Sequence, residues 1–199
     1  MNFKKLKLGL VALTLGLTGQ MSYANVIGVA PTTSTIGVGQ EITLDITMEF
    51  LQETVGGSFD IFYDTNIFDV VSFSYDATFS VDVIDPAFTL TPENCETDGS
   101  AIGGCSVGDA ELNAVGFGNF DGIIGDYVIG QLTLVATNGG LGTIGTASSD
   151  SPFGGFISAA DASEMIVVYN GASVLVVPVP AAIWLMLSAL GIMGGLRRR

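Results

Sequence analysis

The chain has 199 residues, 48% of them hydrophobic and only 13% charged, with a formal net charge of −14. Its charges separate completely: Lys4, Lys5, Lys7, Arg197, Arg198 and Arg199 lie at the termini, and all twenty acidic residues lie between Glu41 and Glu164. The absence of histidine excludes Ser-His-Asp and Cys-His catalysis, and a middle with twenty acids and no base repels nucleic acid.

Residues 1–24 read as a secretory signal peptide. Lys4, Lys5 and Lys7 form the basic region, residues 8–17 the apolar region, and Ser22-Tyr23-Ala24 a small-x-small site cleaved between Ala24 and Asn25. Basic ends retained inside and an acidic middle exported fit the positive-inside rule. Residues 25–176 leave room for one domain of about 150 residues, enough to bury a core.

Within it the hydrophobic period is two. In residues 41–50, Ile42, Leu44, Ile46, Met48 and Phe50 alternate with Glu41, Thr43, Asp45, Thr47 and Glu49, as in an antiparallel strand with one buried face. Gly56-Gly57 predicts a turn, followed by a strand over 58–63. Asp64-Thr65-Asn66 predicts another turn, then a strand over 68–75. Residues 79–84 predict a further strand, ended by Asp85-Pro86. Later strands are expected at 111–117, 127–137, 143–147, 165–169 and 172–176. Gly130 interrupts the alternation between Ile129 and Leu132 and predicts a bulge. Residues 158–164 have room for one short helical turn. Short strands with Gly- and Asp-rich turns and no helical period predict an all-β sandwich.

Cys95 and Cys105 flank a loop-like stretch and, in an exported chain, predict one disulfide contributing about 2–3 kcal/mol. Acidic residues gather at Glu93, Glu96 and Asp98, at Asp60 and Asp64, and at Asp121 and Asp126 around NFDGIIGD. Asp121 and Asp126 are weak calcium candidates, since calcium favours oxygen ligands; solvated turn carboxylates are the other reading. No other cofactor is expected. Paired carboxylates serve glycoside hydrolysis only at a set separation, and no enzymatic activity is expected. Phe117, Phe120, Phe153 and Phe156 lie in glycine-rich contexts (GFGNF, PFGGF), where they form either a sugar-binding platform or part of the core.

At the C-terminus, Pro178 and Pro180 hold residues 177–181 extended. Residues 181–196 carry no charge, and as a helix they would span about 24 Å against a hydrocarbon core of about 30 Å. Arg197, Arg198 and Arg199 end the run, which predicts a transmembrane helix. Val177-Pro178-Val179-Pro180-Ala181, the apolar run and the arginines together resemble PEP-CTERM sorting signals of the VPLPA-type variant, with Val179 in place of the usual Leu. The resemblance implies a substrate held in the inner membrane by its tail and processed by an exosortase-type protease.

The stretch 37–75 (GVGQEITLDITMEFLQETVGGSFDIFYDTNIFDVVSFSY) resembles the start of a cohesin-type domain, through its Tyr63-Asp64 pair and the following Ile67-Phe68-Asp69-Val70-Val71. Residues 125–137 and 142–147 resemble that family's long late strand and its successor. The resemblance implies an antiparallel jelly-roll β-sandwich of about nine strands, a shape shared with carbohydrate-binding modules. True cohesins bind dockerins. The expected protein is thus a non-enzymatic component of the cell surface or extracellular (biofilm) matrix of a Gram-negative-type bacterium. Its domain mediates adhesion or protein binding; the alternative is a carbohydrate-binding module acting on exopolysaccharide.

Overall fold

A computed structural model describes residues 25–90, 93–94, 111–149 and 154–178. Ten strands make up the described fold: β1 (Asn25–Pro31), β2 (Thr35–Gly37), β3 (Glu41–Tyr63), β4 (Phe68–Tyr75), β5 (Glu93–Asn94), β6 (Glu111–Ala136), β7 (Gly140–Ser148), β8 (Ile157–Ser158), β9 (Val167–Asn170) and β10 (Ala172–Val177). Two one-turn helices, Phe79–Val83 and Pro86–Phe88, interrupt the chain between β4 and β5.

The fold is organised by β3 and β6, which pair antiparallel from Glu41↔Val135 to Phe62↔Glu111. The first half of β3 also pairs with β1, β1 pairs parallel with β9, and the second half of β6 pairs with β4. That gives a layer of order β4-β6-β3-β1-β9. The second half of β3 pairs with β7, which leads through β10 to β2, and the first half of β6 pairs with β5. The second layer is β5-β6-β3-β7-β10-β2. Both long strands pass from one layer to the other, so a single hydrogen-bonded sheet curls over one core. β3 changes register with β6 between Phe50 and Gly56, where it crosses. Asn25, itself buried, holds this corner by accepting the Leu51 and Gln52 N–H groups on Oδ1 at 3.0 and 3.1 Å.

The alternation in residues 41–50 is realised: Ile42, Leu44, Ile46, Met48 and Phe50 are all buried. An aromatic cluster continues the core. Phe156 lies edge-on to Phe50 at 4.9 Å and tilted against Phe117 at 5.4 Å, and Phe117 meets Phe79 at 5.1 Å.

Several expectations need correction. Gly56-Gly57 is no chain-reversing turn; β3 continues through it as one strand. A Cβ on Gly57 would lie 2.6 Å from the Phe156 Cα, so glycine serves the close approach of two backbones. Residues 79–84 form no strand. Asp76 Oδ1 accepts the Thr78 and Phe79 N–H groups and starts a helical turn, closed by the Ile84 N–H bonding the Phe79 carbonyl. Phe79 and Ile84, five apart, are then buried and Val81 is exposed, a spacing that alternation misreads. The paired expectations at 111–117 and 127–137 are two parts of the one strand β6. The bulge at Gly130 is present: Ile46 faces Gly130 and Thr47 faces Val128, leaving Ile129 without a register partner on β3. Residues 158–164 form a turn, with the Ala162 N–H bonded to the Ser158 carbonyl.

A second irregularity carries a testable strain. Opposite Asp60, β6 holds an extra residue, and Ala114 adopts φ +60° while its N–H donates to Asp60 Oδ1 at 2.8 Å. The left-handed conformation costs a non-glycine residue about 1–2 kcal/mol. Part of that gain is offset because glycine loosens the unfolded chain. Ala114→Gly should therefore stabilise the domain by about 0.5–1 kcal/mol, read as a higher denaturation midpoint; a lower midpoint would show that no strain is stored there.

Candidate binding groove

The crossing of β3 and β6 opens a groove of about 160 Å³ lined by Val55, Gly56, Gly57, Phe88, Phe117, Gly118, Phe120 and Ile157. Its floor is bare backbone. Gly56 has φ +129°, and a Cβ on Gly118 would lie 2.8 Å from the Val55 carbonyl oxygen. Thr54, fully buried, accepts the Gly56 N–H on its hydroxyl at 3.0 Å and donates to the Ile157 carbonyl at 2.7 Å. That pair of bonds fixes the Ile157 wall against the glycine floor.

The other wall is aromatic. Asp85 Oδ1 accepts the Ala87 N–H at 2.9 Å and starts the short turn Pro86–Phe88, which points Phe88 at Phe120 with ring centroids 4.7 Å apart and edge-to-face. Phe120 stands on a tight turn. Asn119 Oδ1 accepts the Asp121 N–H at 2.9 Å, Asn119 Nδ2 donates to the Val83 carbonyl at 2.8 Å, and Gly122 takes φ +88°. Phe120 is 75% exposed on this hydrogen-bonded mount and forms the open rim of the apolar groove.

Tyr75 anchors the segment that bears Phe88. Its hydroxyl lies 2.8 Å from both the Leu90 and the Gly116 carbonyl oxygens. Burial pushes the Tyr75 phenol well above the ordinary value of about 10, and Tyr169 shifts the same way because of burial. The folded state thus keeps protons that the unfolded chain loses above pH about 10. Their stabilising contribution is complete below that pH and declines as pH rises further. Tyr75→Phe should cost about 1 kcal/mol at neutral pH. It should also flatten the loss of stability between about pH 10 and pH 11.5. Denaturant midpoints at those pH values check both; an unchanged alkaline slope would remove Tyr75 from the account.

Of the four phenylalanines expected as platform or core, Phe117 and Phe156 are buried, which corrects the platform reading for them. Phe120 alone of the described three is open to a ligand, and Phe153 lies outside the described residues. Asp121 and Asp126 are both exposed on β6, and among the described residues no three His, Cys, Asp or Glu side chains converge as a metal site. Asp60 and Asp64 serve backbone bonds: Asp64 Oδ1 accepts the Asn66 N–H at 3.0 Å. Glu96, Asp98, Cys95 and Cys105 lie outside the described residues, as do Ala24, Val179, Pro180, Ala181, the apolar run 181–196 and Arg197 to Arg199. No helix among the described residues is long and apolar enough to cross a membrane. Val177 and Pro178 are described, and Val177 belongs to β10. Sequence reasoning missed Phe88, Val55 and Gly118. Asp85-Pro86 is the signal in the sequence that points to them, because the pair initiates turns as well as ending strands.

The groove and the tail exit lie at opposite poles. From Gly57 the path runs six residues along β3 to Tyr63, which faces Ile144, and four more along β7 to Gly140, which faces Val176. At about 3.3 Å per residue this is about 33 Å.

No model of a known protein family matches the chain, and no curated protein matches it. Solved structures do match. A chain of the Coh-OlpA–Doc918 type I cohesin–dockerin complex from Clostridium thermocellum is 18% identical with a TM-score of 0.52, over 77% of this chain and 100% of that one. A chain of the Coh-OlpC–Doc435 complex from the same organism is 12% identical with a TM-score of 0.51, over 80% and 99%. CaCohA2 from Clostridium acetobutylicum is 13% identical with a TM-score of 0.50, over 77% and 92%. The fold is cohesin-like. The cohesin-like domain matches nearly the full length of each of these chains, so the likeness concerns a whole domain and not a shared hairpin.

Proposed function

We propose that the protein is an exported, non-enzymatic component of the cell surface or extracellular matrix, and that its cohesin-like domain binds a protein partner through the Phe120 groove. The observation that carries this reading is the groove itself: bare glycine backbone between apolar walls, with Phe120 exposed on a turn that Asn119 braces by hydrogen bonds. Such a cleft suits an apolar side chain of a partner, since buried aromatic anchors dominate the energetics of protein interfaces. Cohesin–dockerin complexes among the similar structures lend the reading support at the level of fold.

A polysaccharide ligand is the second reading, favoured by the exposure of Phe120. Sugar hydroxyls need hydrogen-bonding partners when buried, and the lining residues offer no polar side chain. Screening the protein against a glycan panel separates the two: the protein-partner reading expects no glycan to bind at the groove, and a glycan whose binding is lost in Phe120→Ala would reverse the choice.

For its route to the surface, the reading combines signal-peptide removal at Ala24–Asn25 with transient inner-membrane anchoring by residues 181–196. Processing of the PEP-CTERM-like tail by an exosortase-type protease follows, and Cys95 and Cys105 form a disulfide. The separation of all basic residues to the two ends supports this topology. The intact mass of the exported protein tests it. A mass for residues 25–199 contradicts tail processing, and a loss of mass beyond the 177–181 region is expected.

A further inference from the structure

We infer that any protease acting on the folded protein cuts the tail C-terminal to Pro178, because the fold itself occupies the first two residues of the 177–181 motif. As a statement about maturation, this rests on the proposed processing of the tail.

β10 is an interior strand, flanked by β7 on one side and β2 on the other. Its pairing continues to the end: Val177 faces Gly37, and the Val177 carbonyl accepts the Val38 N–H at 3.0 Å. Upstream, the Leu175 N–H donates to the Ser34 carbonyl at 2.9 Å, and Val174 and Val176 are buried. Pro178 then rests on Gly139, where an added Cβ would lie 2.8 Å from the proline Cγ. A protease binds its substrate extended, through the substrate's backbone groups. At Val177 the carbonyl is already engaged by the sheet. Reaching it would mean stripping β10 from β2 and uncovering Val176, whereas susceptibility to cutting follows how freely a segment opens.

The reaction is hydrolysis of one peptide bond beyond Pro178. Water adds across the C–N bond, leaving a new carboxylate on the domain and a new amine on the released tail. Only Val179 and Pro180 separate Pro178 from the apolar run that begins at Ala181. The cut therefore leaves the described strands β1 to β10 intact and the distant groove untouched.

The full chain in detergent micelles, digested with a broad-specificity protease and analysed by mass, is the test. The expected C-terminus of the resistant product is Pro178 or a later residue; an end at Val177 or upstream overturns the inference. Gly139→Val displaces the Pro178 ring and should move the end upstream into residues 176–177. An unmoved end in a folded variant rules out docking on Gly139 as the cause, and if the variant does not fold, the wild-type digestion decides. The protein exported by cells gives the second arm. An end at Pro178 or beyond agrees with the inference and an end upstream overturns it. A product that keeps Arg199 defeats the processing proposal alone and leaves the digestion to decide the inference.

Discussion

Phe156→Ala should lower the stability of the domain by about 3–5 kcal/mol, the usual cost of removing a fully buried phenylalanine. The ring is fully buried and touches two aromatics, Phe50 on β3 and Phe117 on β6, and Phe117 in turn meets Phe79. Its backbone lies against Gly57, so the surrounding layers cannot collapse far into the space it leaves. Domains of this kind hold about 5–15 kcal/mol in total, and the variant should unfold at a much lower denaturant concentration. A midpoint within error of the wild type would mean that Phe156 is not a core residue.

Phe120→Ala should nearly spare stability and weaken binding. Its ring is largely solvated and makes one edge-to-face contact, with Phe88, so truncation should cost about 1 kcal/mol or less in stability. In binding, a central aromatic anchor is worth about 2 kcal/mol or more, which is about a thirtyfold loss of affinity. Leu141, 64% exposed on β7 near the tail exit, supplies the control, because Leu141→Ala alters an exposed apolar residue at the opposite pole. Titration of partner with the three proteins distinguishes the cases. Equal losses for Phe120→Ala and Leu141→Ala would show that the groove has no special role.

The contrast between these two phenylalanines shows where the sequence is legible. Phe120 and Phe156 both sit next to glycines, and local context does not separate them. What separates them is long-range. Residues 119–122 bulge out opposite β3, whereas Phe156 is drawn between the layers by its contact with Gly57. The NFDG turn itself was readable, since Asn and Gly occupy the positions such turns favour. That it presents an aromatic to solvent was not. Alternation served well wherever one face of a strand is buried, as in Ile42 to Phe50. It failed at Phe79 to Ile84, where the Asp76 cap imposes a five-residue spacing on buried positions. Glycine pairs were ambiguous for a physical reason: the same missing side chain permits a turn and permits two backbones to touch, and Gly56-Gly57 does the second.

The charge distribution explains why the fold leans on backbone hydrogen bonds. With no lysine, arginine or histidine between Asn25 and Pro178, no acid there has a basic side chain within that stretch to pair with. Asp60, Asp64, Asp76 and Asp85 each accept backbone N–H groups instead, and all four sit where the chain turns or bulges. Charge-assisted bonds of this kind are stronger than neutral ones.

The central claim is that the Phe120 groove takes a protein. Retention of the full chain on the extracellular-matrix fraction of a producing bacterium, measured after that fraction is treated with either protease or periodate, tests it most directly. The predicted result is loss of binding after protease, survival after periodate, and weak retention of Phe120→Ala on the untreated fraction. Binding that survives protease and disappears with periodate would contradict the claim and assign the groove to polysaccharide.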